Sequence, residues 1–374
     1  MRLPRRAVRH ELSADCSRQP TVSVVVPCYN YSRFLAQCVE SVLDQRDVLV
    51  DVLIIDDAST DDSSAVAESL AALDSRVKVI RHQQNRGHIA TYNEGLALAR
   101  GAYCVLLSAD DLLTPGALAR ATSLMEANPE VGLVYGNIVP FVGDMLPTPR
   151  TEPTGWSIWA GPDWIRILCR LVTNVLASPE VVLRTDIQRK IGGYSSDLPH
   201  SGDMEMWMRA AAVACVGRVD SADQAYYREH PESMSRSQYY SVPLKDLKER
   251  RAAFEAAFDG VVGNVPRASK LRSLAMRSLA SEAIDIATLK QQQTCLGGPV
   301  EDLKAVELAV TFAVETYPDI RRSIRYRMVN ARASGETLFC PGVGQGIDRI
   351  VARVWNAYRL RRSHFLLRGI VSIR

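Results

Sequence analysis

Between residues 21 and 107 short unbroken apolar runs alternate with longer segments whose apolar positions recur every three or four residues. The runs 21–26 (TVSVVV), 50–55, 77–80 and 103–107 are short, apolar and bounded by polar residues, the pattern of strands buried on both faces. After the first run, Phe34, Leu35, Cys38, Val39, Val42 and Leu43 share one helical face, with Ser32 placed as N-cap. A second helix is expected from a cap at Ser59 or Thr60 to about Leu73, and a third over 89–99 that ends at Gly101. Thr114 caps the next, with Pro115 in its first turn. Alternating strands and amphipathic helices predict an α/β layer sandwich with a mostly parallel sheet. Such sheets bind ligands at the carboxyl ends of their strands. Here those ends carry Tyr29-Asn30, Asp56-Asp57 and Asp110-Asp111, so one crevice is the expected site.

Further along, 131–135 and 180–183 read as strands, 203–214 as a helix after the loop 198–202, and 225–228 as a strand leading to His230. From about Leu244 the pattern is helical, rich in Ala, Leu, Glu and Arg. The expected division is a basic, loosely held arm over 1–20, an α/β domain over 21–243, and a helical region over 244–374 that ends in a basic amphipathic tail.

With 374 residues, 47% hydrophobic and 23% charged, the composition is that of a soluble globular protein too long for one small core. A net charge of +3 gives no bulk attraction to nucleic acid, and no nucleic-acid partner is expected. The 8 cysteines form no CxxC pair, which argues against a zinc or redox motif and for a reducing compartment. No apolar h-region follows the basic start, and no apolar stretch approaches the roughly 18 residues of a membrane span. The expectation is a cytoplasmic protein. The tail adds a second option: over 349–374 arginines alternate with Trp355, Tyr358, Phe365 and other apolar residues, without one acid. Such a segment can lie peripherally on an anionic inner membrane face, or pack on the protein with its arginines solvated.

Several residues have both a chemical and a purely structural reading. Asp110 and Asp111 repel each other at a strand end unless a hard cation held by carboxylate and phosphate oxygens compensates; the alternative is a solvated acidic turn. Asp56-Asp57 can accept hydrogen bonds from a base or ribose, while Ser59 to Asp62 suit helix capping. Tyr29, after Pro27, offers a stacking face for a nucleobase or simple packing. Asp203, opening a helix before Trp207, suits a general base or an N-cap. His230 can serve as metal ligand, hydrogen-bond donor or structural residue.

In order and spacing, VSVVVPCYNYSRFLAQCVESVLDQ, VLIIDDASTDDS, NRGHIATYNEGLALARG, YCVLLSADDLLTPGAL, SGDMEMWMRAA and YYREHPESMS resemble the inverting glycosyltransferases of family 2, over about Pro20 to Met234. The resemblance implies a GT-A fold, the Rossmann-like nucleotide-diphospho-sugar transferase architecture, with the helical part as an extension. It implies Tyr29 and Asp57 around the base, with Pro27, Asn30 and Asp56 beside them, and Arg86 and Asn93 in the donor pocket. Asp110 and Asp111 match the Asp-x-Asp region that meets ribose and a Mn²⁺ or Mg²⁺ ion, with His230 as a further metal position. Asp203 matches the catalytic base, and Trp207 a wall of the acceptor or sugar pocket. Ser108 stands where many relatives have Asp, and Gly202 where many have Glu.

The implied partners are a nucleotide-sugar donor, a UDP-sugar as first choice, and a glycan or lipid-linked acceptor. A sugar nucleotidyltransferase or a dinucleotide dehydrogenase would need a glycine-rich loop after the first strand, where Pro27-Cys28-Tyr29-Asn30 stands instead. The reading from another class is a non-catalytic nucleotide-sugar-binding protein on a degenerate fold, favoured by Ser108 and Gly202 and opposed by the four acids Asp57, Asp110, Asp111 and Asp203.

Overall fold

The structure is a computed structural model that describes residues 5–7, 19–230, 243–295 and 301–333. The elements of its α/β part run β1 (Arg5–Ala7), β2 (Thr21–Cys28), α1 (Ser32–Leu43), β3 (Leu49–Asp56), α2 (Ser63–Leu73), β4 (Val77–Arg81), α3 (His88–Leu98), β5 (Tyr103–Leu106), β6 (Leu112–Leu113) and α4 (Ala117–Ala127). They continue with β7 (Val131–Phe141), β8 (Gly155–Trp159), α5 (Gly161–Leu171), β9 (Val182–Arg184), α6 (Thr185–Ile191), α7 (Gly202–Val213) and β10 (Cys215–Arg228). The helical part has α8 (Pro243–Asp259), α9 (Ala268–Cys295), α10 (Glu301–Thr316) and α11 (Ile324–Ala333).

The strands form one sheet in the order β1-β8-β10-β7-β9-β5-β2-β3-β4, with β6 paired to β10. β2, β3, β4 and β5 run parallel, as does the long β7–β10 pair. Short antiparallel pairings through β9, β8, β6 and β1 complete a mostly parallel sheet. Val22, Val24 and Val26 of β2 pack into one core with α1, α2 and α4. Val25, between them, faces α3 on the other side, against Gly95. Both faces are covered, which is why the strand reads as an unbroken apolar run.

The described residues form two compact units. The first comprises residues to 165 and 174–230; the second comprises 166–173 and the helices α8 to α11. In the helical unit Leu247, Phe254, Leu279, Ile284 and Phe312 are buried, with Arg250 paired inside to Glu282 at 3.0 Å and Asp246 at 2.8 Å. The boundary expected near Pro243 falls where α8 begins, after residues 231–242 that are not described. The basic tail over 349–374, with its expected membrane contact, lies outside the described residues. No helix of the described residues is long and apolar enough to cross a membrane.

Several local expectations need correction. Arg5–Ala7 pairs with β8, so part of the arm expected to be loosely held is an edge strand. Ser32 does not cap α1: it is the first helical residue, and its N–H donates to Asp61 Oδ2 across the loop at 3.0 Å. Nor do Ser59 and Thr60 cap α2, which starts at Ser63; both serve Asn30 instead. Thr114 donates its hydroxyl to the Asp223 carbonyl, and α4 begins at Ala117 after Gly116 in the left-handed region. In each case the polar side chain found a partner far away in sequence, which local pattern cannot show.

Candidate active site at the strand ends

β2 and β3 end side by side, and the loops that follow are tied together. Asn30 adopts a left-handed φ of 60° that lets its side chain turn back. Its Oδ1 accepts the Thr60 N–H at 2.7 Å, and its own N–H donates to Ser59 Oγ at 3.0 Å. Asp56 is fully buried and accepts the Ser59 N–H at 3.1 Å and the Ser64 hydroxyl at 2.9 Å. Asn30, which is exposed, and Asp56, which is buried, both shape the loop. Pro27 continues the β2 ladder beside Ile55, and Tyr29 holds its ring 45% exposed at the strand end.

Asp57 is buried, and its carboxylate occupies the N-terminus of α3. Oδ1 accepts the Arg86 N–H at 2.7 Å and lies 2.6 Å from His82 Nδ1; Oδ2 accepts the Gly87 N–H at 2.9 Å. Gly87, at φ 83°, adopts the backbone that aims this N–H at the acid. Burial alone would raise the Asp57 pKa, but the hydrogen bonds from His82, Arg86 and Gly87 outweigh it and hold the carboxyl below its usual range. The Arg86 guanidinium is half exposed and pairs with Glu94. Asn93 clamps a neighbouring loop: its Oδ1 accepts the Tyr194 N–H at 2.7 Å and its Nδ2 donates to the Tyr194 carbonyl at 2.9 Å.

At the end of β5 the two acids part. Asp111 turns inward, 3% exposed, and accepts the Arg228 N–H at 2.9 Å. Burial, followed by the neighbouring charge of Asp110, pushes its pKa well above the carboxylate range. Asp110 instead places Oδ2 2.9 Å from His230 Nε2. Arg228 stacks between Phe34 and Phe141 and donates to the Asp110 carbonyl at 2.9 Å and to Gln37 Oε1 at 2.6 Å, which fixes the turn.

Asp203 lies in the first turn of α7 and accepts the Ser178 hydroxyl at 2.9 Å. Burial raises its pKa against the pull of Ser178, Tyr194 and the charges of His200 and His88. Burial, then the charges of Asp203 and Asp110, push the phenol of Tyr92 in α3 up. Its ring meets His88 and Tyr194 edge-on. Trp207 does not line an open pocket as expected, being 2% exposed on the inner side of α7.

Among the described residues no group of three or more His, Cys, Asp or Glu side chains is arranged to hold a metal ion. Asp110 and His230 fit a partial site. Their 2.9 Å separation matches two adjacent corners of an octahedron with bonds of about 2.1 Å. Asp111, engaged and buried, is not the outward acid.

His82, Tyr92, Glu94, Ser178, Tyr194 and Arg228 were not expected at the site. Tyr92 and Glu94 lie in the segment NRGHIATYNEGLALARG and Arg228 in YYREHPESMS, both already noted, whereas His82, Ser178 and Tyr194 carried no such signal.

The mostly parallel sheet with acids at its strand ends has the GT-A architecture. Residues 23–177 match the family model described as Glycosyl transferase family 2. The chain is 36% identical over 263 residues to a chondroitin synthase of Escherichia coli, a match that covers 64% of this chain and 37% of that protein. It spans a third or less of several other curated relatives. Its fold matches S. aureus TarS 1-349, solved in complex with UDP-GlcNAc, with a TM-score of 0.58 and 16% identity over 85% of this chain and 93% of that one. It also matches the mannosyltransferase PcManGT of Pyrobaculum calidifontis, solved with GDP-Man and Mn²⁺, with a TM-score of 0.50 and 18% identity over 93% and 90% of the two chains.

Proposed function

We propose that the α/β unit moves a sugar from a nucleoside diphosphate sugar, a UDP-sugar as first choice, to a hydroxyl of a glycan or lipid-linked acceptor, with inversion at the anomeric carbon. The setting would be synthesis of a cell-surface polysaccharide or glycolipid, at the cytoplasmic side. The observation that carries this reading is the set of acids at these strand and helix ends: Asp110 after β5, 2.9 Å from His230 Nε2, Asp57 after β3, held by the Arg86 and Gly87 N–H groups, and Asp203 in the first turn of α7. The family domain and the ligands of the solved fold relatives, UDP-GlcNAc and GDP-Man, support a nucleotide-sugar donor.

In this reading Tyr29 stacks on the base and Asp57 accepts its N–H. Asp110 and His230 would hold Mn²⁺ or Mg²⁺, which when bound would supply Lewis-acid neutralisation of charge on the leaving diphosphate. Asp203 takes the proton of the acceptor hydroxyl as the new oxygen–carbon bond forms and the anomeric carbon–phosphate oxygen bond breaks. Its raised pKa brings it closer to a neutral working pH than an ordinary Asp.

The test is nucleoside diphosphate release from a panel of UDP-, GDP- and dTDP-sugars with Mn²⁺, Mg²⁺ or EDTA. Metal-dependent release from one donor is expected. Asp203→Asn should lower it by about 10²–10⁴-fold while donor binding persists. Full activity in that variant removes Asp203 as base. Donor binding without turnover, with any acceptor class tried, would instead favour the non-catalytic binding protein.

A further inference from the structure

His82 was absent from the sequence reading, yet it is the hub of a closed ring of interactions at Asp57. Its N–H donates to the Asp56 carbonyl at 2.9 Å, which pins it beside the acid. The ring is 7% exposed and faces a carboxylate on each side, Asp57 Oδ1 at 2.6 Å from Nδ1 and Glu94 Oε2 at 3.1 Å from Nε2. The same Glu94 Oε2 receives the Arg86 guanidinium, whose own backbone N–H returns to Asp57 Oδ1. Four side chains from β3's end, β4's end, the loop before α3 and α3 itself close on one another.

This arrangement allocates the lone pairs of Asp57. A carboxylate oxygen accepts about two hydrogen bonds. Oδ1 already faces two donors, His82 and the Arg86 N–H, while Oδ2 faces one, the Gly87 N–H. One acceptor position remains, on Oδ2, in a fixed direction. Glu94 keeps the imidazole from rotating and thereby fixes Oδ1.

We infer that His82 is a positioning residue for base selection: it fills Oδ1 of Asp57 and so directs the remaining Oδ2 lone pair at a ring N–H of the nucleobase. The inference rests on the reading that Asp57 receives the base. A pyrimidine with an N3–H donates to that lone pair. One whose N3 is methylated or is itself an acceptor cannot, and leaves that lone pair without a partner.

Two isosteric variants separate the two contacts of the ring. His82→Asn keeps an amide N–H close to the Nδ1 position but does not reach Glu94. His82→Gln reaches toward Glu94 and leaves Asp57 Oδ1 short of a donor. Full-length wild type, His82→Asn, His82→Gln and His82→Leu are titrated with UDP and with N3-methyl-UDP in the presence of Mn²⁺, after circular dichroism and thermal unfolding confirm that each is folded. Wild type should prefer UDP by at least about tenfold, the scale of one hydrogen bond to a charged group. His82→Gln and His82→Leu should bring the ratio toward one, and His82→Asn should keep most of it. A merely structural His82 would weaken both ligands equally and leave the ratio at the wild-type value in every variant, which overturns the inference while the donor reading stands. Wild type that binds UDP without discriminating against the methylated base, or binds neither, removes Asp57 as base receptor and takes this inference with it.

Discussion

Glu180 shows how one residue can carry a pH dependence far from its own chemistry. It is 4% exposed, its Oε1 accepts the Ala177 N–H at 3.0 Å, and its Oε2 has no hydrogen-bond partner among the described residues. Burial pushes its pKa from 4.5 to about 8, against the weaker pull of the Ala177 N–H and of Arg218. The folded protein therefore keeps a proton that the unfolded chain releases above about pH 4.5. This contribution to stability is fully present below that pH and is lost as pH rises through about 8, with a slope of up to about 1.4 kcal/mol per pH unit in the window. Glu180→Gln should flatten that slope, read as urea unfolding free energy from pH 5 to pH 8 for the two proteins. Parallel slopes would refute it. The turn matters because Ser178 in it donates to Asp203. Asp57, Asp110 and Asp203 could be singled out from the sequence because each directly follows a strand or opens a helix. Ser178, His82 and Tyr194 could not, since what makes them significant is a partner 25 or more residues away, or an acid reached only through the folded loop.

At the scale of elements, α3 is the piece on which the site depends. It brings Tyr92, Asn93 and Glu94 to three different tasks, and it lies on β2 with no room to spare. A Cβ on Gly95 would stand 2.2 Å from Val25 Cγ1, so α3 can approach this closely only because position 95 has no side chain. Gly95→Ala should destabilise by about 1–3 kcal/mol despite the better helix propensity of Ala, because the helix must lift from the strand or Val25 must leave its rotamer. Chemical denaturation gives the stability change. The lift should also weaken UDP binding, because Glu94 moves with the helix; an alanine variant as stable as wild type would show that the interface gives way easily. The apolar periodicity revealed α1 to α4 and the parallel strands because each buries a continuous stripe or run. It missed β8 and α6, which are short, and α5, although Trp164, Ile165, Leu168 and Cys169 recur there at helical spacing and are buried, just after Gly161-Pro162. The start of α2 was misplaced by a few residues because Ser59 and Thr60 bond to Asn30 instead, and that of α1 by one because the Ser32 N–H donates to Asp61.

For the whole molecule the decisive quantity is the coupling between cation and donor. Among the described residues of the α/β unit, Asp110 and His230 are the two side chains the proposed ion would meet, because Asp111 is buried and bonded to the Arg228 backbone. A divalent ion with six positions to fill is held weakly by such a pair alone. A diphosphate adds oxygens from the other side, so ion and nucleotide each raise the affinity of the other by the same factor, as linkage requires. A coupling of 1–3 kcal/mol, about 5–150-fold, is the ordinary range. Mn²⁺ alone should therefore change the thermal midpoint little, UDP alone modestly, and the two together by more than the sum of their separate shifts. His230→Ala should reduce the excess without removing the response to UDP alone, since Tyr29 and Asp57 are untouched. Strictly additive shifts would mean that ion and diphosphate do not meet. A large shift with Mn²⁺ alone would mean that the protein holds the ion with ligands other than these two. The sequence pointed to Asp110, Asp111 and His230 as a group, but which of the adjacent acids turns inward depends on a backbone N–H of β10 delivered from 117 residues away. Under the proposed function, that choice leaves a half-site for the donor to complete.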